Sequence, residues 1–284
     1  MHFSLGPLTL HGADSAGVQW RTDPRRCKGW WGGPASTITI VQNARRHGGT
    51  AGDAYLAADH LRLGGTILAP TEAARDAAAD VLRAAASLDQ TALTAHGAGG
   101  DRWAKVRREG PVEFEPTSDI SADWSVGLVM LDPRRFGEEL TTEVRLPSTS
   151  GGLRWPVRWP LRWPAKTERG QESLTNVGQV AGPVWLRLEG PSDPSDPPLQ
   201  APVVTHVSTG RRLVFAASVE LGPGEWVDVD AEAQTILAQG MASRARWVTE
   251  DGFPTFEPGP NLFAFSAAVY SASSRLTVRT WPAW

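Results

Sequence analysis

The sequence has little cysteine, tyrosine or lysine: one Cys, two Tyr and three Lys in 284 residues. The single cysteine, Cys27, cannot form an internal disulfide, which excludes a small domain held together by disulfides. No apolar run approaches the roughly 20 residues that a membrane-spanning helix needs, so we expect no membrane insertion. Residues Met1–Gly6 contain no basic stretch followed by an apolar one, the pattern of a signal peptide. We therefore expect a chain that is made and folded in the cytosol.

Basic charge is not in excess either. The chain has 28 Lys and Arg residues against 31 Asp and Glu residues, which gives a formal net charge of −3. A protein that binds nucleic acid needs a basic surface to neutralise the phosphates. We therefore expect no sequence-specific nucleic-acid binding.

The usual patterns of catalytic and metal sites are also absent from the sequence. The six histidines are scattered, with no pair at metal-ligand spacing. Cys27 would need an activating base to act as a nucleophile, and no Gly-x-Ser-x-Gly elbow occurs. His47–Gly49 and Gly97–Gly100 are glycine-rich but lack the context of an oxyanion loop or a phosphate loop, so both are predicted to be turns or loops. We expect no metal, no cofactor and no catalytic residues.

Two pairs of carboxylates are spaced i, i+2 on predicted strands. Glu113 and Glu115 form one pair, and Asp228 and Asp230 form the other. Each pair shares one strand face, as the two carboxylates of a hydrolase could. Exposed strand faces carry such residues routinely, so we interpret both pairs as surface charge.

Tryptophan, glycine and proline are abundant, with 13, 29 and 22 residues. Glycine and proline favour many short elements joined by turns. Each tryptophan buries a large rigid surface, so 13 of them indicate dense β cores or interfaces. Of these two alternatives, core packing is favoured.

The first half of the chain mixes strands with one helix. Alternating or β-branched residues predict strands at Ser36–Gln42, Leu61–Leu68 and Trp103–Arg108. Trp124–Leu131 is a nearly continuous apolar run, which is typical of a strand buried on both faces. In the alanine-rich segment Thr71–Ala86, the apolar residues recur at the spacing of a helix instead.

The predicted helix has a clear start and a clear buried face. Thr71 is placed to cap its N-terminus, and Glu72 lies in the first turn, where the helix dipole favours a carboxylate. Spacing places one apolar face towards a core: Ala74, Ala78, Val81, Leu82 and Ala85.

The composition changes to Pro, Ser, Thr and Gly around residues 146–152, which predicts a domain boundary. We place the two domains at 1–148 and 149–284. The second consists of short strands with period two separated by turns, which indicates a β-sandwich or barrel. Apolar residues alternate with polar ones at Val184–Leu188, Val227–Val229 and Leu276–Val278, and Val203–Val207 and Arg211–Ala216 flank a hairpin turn.

An Arg-Trp-Pro triplet occurs three times with a spacing of four residues, at Arg154–Pro156, Arg158–Pro160 and Arg162–Pro164. Each proline favours an extended conformation at the tryptophan before it, and arginine can stack on a neighbouring indole. The segment is either an aromatic ladder for a partner or glycan, or an extended connector held to the sandwich by its tryptophans. We favour the connector.

Seven segments of the second half occur in an order that resembles the distal tail proteins, also called minor tail proteins, of long-tailed, non-contractile bacteriophages. They are Gly151–Pro156, Asn176–Gly178, Pro183–Pro191, Ser208–Leu213, Gly224–Asp230, Glu257–Phe265 and Leu276–Trp281. In the first half the resemblance rests on the strand–helix–strand order and on Asp132–Phe136.

The resemblance implies a mainly β fold with one helix and two domains. It implies an α+β N-terminal domain (1–148) that forms a homo-oligomeric ring of six copies, and a galectin-like β-sandwich (149–284) that points outward. The ring would join the tail tube protein to the tail-tip or baseplate hub and support receptor-binding proteins. The protein would therefore be a structural component of the virion tail tip.

Two further expectations concern the second half. A Gly259–Asn261 turn is predicted to precede a buried strand at Leu262–Phe265. Aromatic residues concentrate at interface centres, so four tryptophans are candidate subunit contacts: Trp155, Trp159, Trp163 and Trp226.

Two alternatives to the tail role stay open. The sandwich could be a carbohydrate-binding module of a host-surface adhesin, with tryptophans as platforms. The chain could also be an accessory of a cell-wall hydrolase, and Glu113 or Asp228 would then be the carboxylates needed for its activity. The sequence contains no catalytic set that favours the hydrolase.

Overall fold

The computed structural model describes residues 2–150, 166–168 and 170–284. These residues form a mainly β protein with one α-helix, as the sequence predicts. The chain divides into two compact units between Gly137 and Glu138.

This division falls before the change in composition near residue 148. The reason is the strand Leu140–Arg145, which pairs along its whole length with Arg275–Thr280 near the end of the chain. Those hydrogen bonds make it part of the second unit, although the turn-rich segment that follows it is the stronger local signal in the sequence.

The first unit contains ten strands and the helix. They are β1 (His2–Leu5), β2 (Leu8–Thr9), β3 (Gly12–Ala13), β4 (Gln19–Thr22), β5 (Ser36–Gln42), β6 (Gly49–Leu56), β7 (Asp59–Leu68), α1 (Glu72–Ala85), β8 (Thr91–His96), β9 (Arg102–Pro116) and β10 (Ser121–Met130). Eight of the strands form one antiparallel sheet in the order β2-β1-β8-β9-β10-β7-β4-β3. The other two, β5 and β6, form a hairpin of their own.

Helix α1 begins as predicted, because the Thr71 hydroxyl accepts a hydrogen bond from the Ala74 amide at 3.2 Å. Its buried face is centred on Leu82, which is fully buried. The prediction that Val81 is buried is wrong: this side chain is 46% exposed, and Ala79 is buried instead. A helix turns about 100° per residue. Val81 therefore lies about 100° from Leu82, whereas Ala79 lies about 60° from it.

Strand β10 lies between β9 and β7 in the sheet. Burial alternates along it: Trp124, Val126, Leu128 and Met130 are buried, and the residues between them are half-buried. The prediction of a strand buried on both faces is therefore wrong. The apolar run in the sequence includes Leu131, which lies just after the end of the strand and is 55% exposed, so an apolar residue there does not indicate a second buried face.

The described residues of the second unit form fifteen strands and one turn of 3₁₀-helix at Ala245–Trp247. The strands are β11 (Leu140–Arg145), β12 (Ser148–Ser150), β13 (Lys166–Glu168), β14 (Gln171–Asn176), β15 (Val184–Glu189), β16 (Leu199–Gln200), β17 (Val203–His206), β18 (Arg211–Phe215), β19 (Glu220–Leu221), β20 (Trp226–Asp230), β21 (Thr235–Ala238), β22 (Ala242–Ser243), β23 (Val248–Asp251), β24 (Gly259–Ser266) and β25 (Arg275–Thr280). Six of them form a sheet in the order β11-β25-β15-β20-β21-β22, and five form a second sheet in the order β14-β24-β17-β18-β23. β12 pairs with β13 and β16 with β19.

The two larger sheets enclose one hydrophobic core, which makes the unit a β-sandwich. The alternation predicted in β15, β20 and β25 is confirmed, because every second residue of these strands is buried. The predicted hairpin is confirmed as well: β17 and β18 pair across a turn in which Gly210 has a φ of 72°.

Residues Gly259–Asn261 do not form the predicted turn. They belong to β24 and pair with β14, where Pro260 lies opposite Thr175. A bend lies just before them, at Pro258, and the side-chain amide of the buried Asn261 hydrogen-bonds the backbone there. Its Oδ1 accepts from the Glu257 backbone N–H at 2.9 Å, and its Nδ2 donates to the Glu257 carbonyl at 2.7 Å.

Candidate interaction surfaces

The hairpin β5–β6 pairs with no other described strand. His47 and Gly48 lie in the loop at its tip, where Gly48 has a φ of 91°, but Gly49 already belongs to β6 and pairs with Gln42, so the prediction of a turn or loop holds only for the first two of His47–Gly49. A bulge opposite Thr39 places two residues of β6 against one of β5. Every residue of both strands is exposed.

One face of this hairpin is apolar. Ile38, Ile40 and Leu56 lie on it and are 43%, 58% and 60% exposed. The bulge keeps Ala51 and Ala54 on the same face, opposite the two isoleucines. We call this set of five residues the apolar hairpin face. Within its own unit nothing described covers it.

The base of the hairpin is fixed by Arg135. This residue belongs to the Asp132–Phe136 segment, on which the resemblance in the first half partly rests. Its guanidinium donates to the Gly29 carbonyl at 3.2 Å, the Gly32 carbonyl at 3.1 Å and the Asp59 carboxylate at 3.2 Å. Because Gly32 precedes β5 and Asp59 follows β6, one side chain holds both ends of the hairpin segment. Burial lowers the pKa of Arg135, and the Asp59 carboxylate opposes that shift.

The outer face of the six-stranded sheet carries the side chains that alternate with the core. Two ion pairs on it are bidentate. Arg187 donates to Asp228 at 2.7 and 3.0 Å, and Arg279 donates to Glu139 at 2.6 and 2.7 Å. The hydrogen bond from Arg279 lowers the pKa of Glu139.

These two arginines alternate with three tryptophans in a continuous stack. In order the stack is Trp281, Arg279, Trp185, Arg187 and Trp226. The guanidinium carbons lie 5.8, 4.9, 5.1 and 5.5 Å from the successive ring centroids. Each contact is within cation–π distance, so the stack stiffens the outer face of the sheet.

The four tryptophans predicted as subunit contacts fall in two places. Trp155, Trp159 and Trp163 lie outside the described residues, together with the rest of the Arg-Trp-Pro repeat. Trp226 is half-buried at the end of the stack, where Arg187 covers one side of its ring.

The carboxylates that a hydrolase would need are engaged in surface contacts. Glu113 accepts from Arg62 and Ser125, and these contacts lower its pKa. Asp228 is held by Arg187, and Asp230 accepts from the backbone amides of the turn after β20. Glu113, Asp228 and Asp230 are therefore used to fix local structure, as expected for surface charge.

Three of the scattered histidines meet in the structure. His2 and His96 lie opposite each other on β1 and β8, with ring centroids 4.6 Å apart, and His11 stacks on His2 at 5.1 Å. Burial and the neighbouring imidazoles lower the pKa of His2. The sequence could not indicate this cluster, because His96 is brought close only by strand pairing. No group of side chains in the described part of the chain has the arrangement of a metal site.

Cys27 lies in the first unit, half-buried, with its thiol donating to the Gly64 carbonyl at 3.8 Å. Burial raises the pKa of this thiol. A raised pKa keeps the thiol protonated at neutral pH, the opposite of what a nucleophilic cysteine requires.

Gly97–Gly100 forms the loop between β8 and β9, as predicted, with the Gly100 amide donating to the Gly97 carbonyl at 3.2 Å. Among the described residues, no helix has the length and hydrophobicity needed to span a bilayer.

Taken together, these features define a class: a two-unit β protein with an exposed apolar hairpin and engaged surface charges. No family model matches the chain, and no curated protein matches it. Solved structures do. The Dit (gp 19.1) protein of phage SPP1, described as a paradigm of the hub adsorption apparatus in phages that infect Gram-positive bacteria, aligns with a TM-score of 0.62 and 11% identity over 93% of both chains.

A second solved structure is similar over most of its length. A chain of the phage P2 baseplate, in its activated conformation with Ca, aligns with a TM-score of 0.50 and 10% identity, covering 94% of this chain and 91% of that chain. The chain therefore has the fold of phage hub and baseplate proteins. At the level of the fold, this confirms the resemblance to distal tail proteins.

Proposed function

We propose that this chain is a structural protein of a phage tail tip, of the distal tail type. Copies of it form a ring that joins the tail tube to the tip and supports receptor-binding components. The fold likeness extends over 93% of both chains in the alignment with SPP1 Dit, which supports a role for the whole chain rather than for one unit.

The apolar hairpin face carries the proposal. An isolated two-stranded hairpin is at best marginally stable in water. A cluster of exposed apolar residues on it indicates a surface that is buried against another protein. When one surface of a subunit contacts a different surface of the next copy, repeating the contact gives a closed ring if the rotation between neighbours returns to the first subunit. We propose that the hairpin of one copy packs on its neighbour in this way, in a ring of six. Arg135 supports this role, because it fixes the direction in which the hairpin leaves its unit.

The two units then have separate tasks. The first forms the ring, and it comprises the residues up to Gly137 rather than up to 148. The second is a galectin-like sandwich that points outward. The expected partners are the tail tube protein, the tail-tip or baseplate hub and receptor-binding proteins. The protein would be made in the host cytoplasm and then found in the virion tail tip.

We further infer that the chain is not an enzyme. The support is the state of the candidate carboxylates: Glu113 and Asp228 are both held by arginines. Turnover of peptidoglycan by the purified chain, lost in Glu113→Gln or Asp228→Asn, would contradict this inference.

The ring can be tested with two matched variants of one strand. Ile40 lies on the apolar hairpin face and is 58% exposed, whereas Val41 lies on the opposite face and is 65% exposed. Light scattering at micromolar concentration and negative-stain imaging should show rings for the wild type. Ile40→Glu should give monomers because it places a charge in the contact, and Val41→Glu should still give rings.

The outcome that contradicts the proposal is equally clear. The proposal is contradicted if the wild-type chain is a uniform monomer and if a label specific for this protein is not found at the tail tip of the parent particle. Rings lost equally in both variants would show that the apolar hairpin face is not the specific contact.

A further inference from the structure

A cavity of 430 Å³ opens on the second unit, where the outer face of the six-stranded sheet meets three loops. Its floor is one row of side chains across four neighbouring strands. Arg145 on β11 lies opposite Arg275 on β25, Arg275 lies opposite Glu189 on β15, and Glu189 lies opposite Trp226 on β20. The volume is typical of sites for small molecules, which measure about 300–1,000 Å³.

The walls of this cavity are tied together by hydrogen bonds. The Ser192 amide donates to the Ser273 hydroxyl at 3.1 Å, which links two of the loops. The Gly190 amide donates to the Glu225 carbonyl at 2.9 Å, which links the third. Gly190 lies so close to the Gly222 carbonyl that a Cβ atom would be 2.2 Å from it. The cavity is therefore formed before any ligand arrives, which lowers the entropic cost of binding.

The groups that line the cavity include donors, acceptors and an aromatic surface. Arg145 is exposed, and none of its five N–H donors is used by a hydrogen bond or ion pair with the described residues. Glu189 and Glu225 provide carboxylate acceptors, although Glu189 is also paired with Arg275 and one oxygen of Glu225 already accepts from the Gly222 amide at 2.8 Å. The half-buried Trp226 contributes the surface of its indole that Arg187 leaves uncovered.

We propose that this cavity is a saccharide-binding site. A sugar presents hydroxyls that both donate and accept, and it also has a C–H face that packs on an indole. Arg145 would donate to ring or hydroxyl oxygens, the two glutamates would accept from hydroxyls, and Trp226 would support the C–H face. A simple anion fits less well, because Glu189 and Glu225 would repel it and Glu189 already neutralises Arg275.

Saturation-transfer difference NMR on the full chain tests the site directly. The probes are methyl α-glucoside, methyl β-galactoside, methyl α-rhamnoside and N-acetylglucosamine. At least one should receive saturation, most strongly at the C–H protons of one face. Arg145→Ala should weaken its binding about tenfold, as expected for loss of a charge-assisted hydrogen bond. Because Arg145 is exposed and makes no hydrogen bond or ion pair with the described residues, this variant is expected to keep the fold.

Two control variants separate the site from general effects. Arg246→Ala removes an exposed arginine of the same unit that lies outside the cavity, and Trp31→Ala removes a tryptophan that is 78% exposed in the other unit. Both should bind the saccharide as the wild type does, and Trp226→Ala should not. The result does not depend on ring formation, so it can fail while the assembly role stands.

Three outcomes would overturn the proposal. In the first, no saccharide of the panel binds. In the second, a saccharide binds equally well to Arg145→Ala and to the wild type. In the third, inorganic phosphate competes for the cavity and is displaced by sodium chloride, which would identify an anion site instead.

Discussion

The Arg135 guanidinium lies 3.2 Å from the Asp59 carboxylate, and both side chains are nearly buried, at 11% and 12% exposure. The same nitrogen donates to two backbone carbonyls in the segment that precedes β5. The hairpin is therefore attached to its unit by a charged group that lies about 80 residues further along the chain. An exposed apolar hairpin is thus held at its base by a nearly buried ion pair.

Removing this attachment should loosen the hairpin. We expect Arg135→Ala to lower the free energy of unfolding by about 3 kcal/mol, because the Asp59 carboxylate would stay nearly buried without its partner. Urea unfolding measures the loss. Hydrogen exchange followed by mass spectrometry should show faster exchange across residues 36–56.

The matched control is Arg26→Ala, which removes an ion pair with Asp123 between side chains that are 45% and 30% exposed. Its effect on stability should be much smaller, since water screens exposed pairs. Equal losses in the two variants, or unchanged exchange in the hairpin of Arg135→Ala, would show that Arg135 does not hold the hairpin.

Gly65 marks a close approach of β4 and β7. A Cβ atom there would lie 1.9 Å from the Arg21 carbonyl oxygen, and that atom belongs to backbone that cannot rotate away. We expect Gly65→Ala to destabilise the first unit by about 1–3 kcal/mol, because the two strands must separate to admit the methyl group. Urea unfolding again measures the loss.

Gly99→Ala is the control for this substitution, because no atom lies within 4 Å of the Cβ position at Gly99. Its stability should equal or slightly exceed that of the wild type, since alanine restricts the unfolded chain. A Gly65→Ala protein as stable as Gly99→Ala would mean that β4 does not approach β7 this closely.

His206 should make the second unit sensitive to pH. It is 1% exposed, and its Nε2 lies 3.0 Å from the Asn261 Oδ1. That oxygen also accepts from the Glu257 amide, so Nε2 carries the proton and Nδ1 accepts from the Thr209 hydroxyl at 2.7 Å. Burial lowers the pKa of His206 below its ordinary value of 6.5.

The direction in which stability changes with pH follows from this lowered pKa. The unfolded chain binds a proton at His206 more tightly than the folded chain does, so the contribution to stability is complete above about pH 6.5. It is lost as the pH falls towards the lower pKa of the folded state. Urea unfolding between about pH 7.5 and 5 should show a smaller slope for His206→Gln than for the wild type. His47→Gln, in the exposed hairpin turn, should keep the wild-type slope, and equal slopes in all three proteins would contradict the prediction.

The local parts of this fold could be predicted from the sequence because they follow from the spacing of a few residues. Val184, Leu186 and Leu188 alternate with polar neighbours, and period two is the property of a strand with one buried face. The cap at Thr71 is equally local, since its hydroxyl reaches an amide only three residues away. Such features need no knowledge of the rest of the chain.

The parts that could not be predicted depend on contacts between distant residues. The strand Ser36–Gln42 was predictable, but not that its hairpin would pair with no other described strand. His2 and His96 meet only through the pairing of β1 and β8. The place where the units divide depends on β11, whose partner lies about 130 residues later.

The candidate site was predictable only in part. The abundance of tryptophan pointed to Trp226 as a contact residue, and this stays a prediction. Its place in a row with Arg145, Arg275 and Glu189 follows from the register of four strands, which the sequence does not specify.

The free edges of the hairpin β5–β6 have a consequence for how the protein must be handled and made. Outside their mutual ladder, the backbone N–H and C=O groups of the two strands have no strand to pair with among the described residues. Such edges beside an apolar face act as templates for any other exposed strand, so they favour irregular strand pairing between copies. Irregular pairing of this kind would compete with the ring that we propose. Because strand pairing between copies rises with their concentration, we expect the yield of correctly folded protein to fall as that concentration rises.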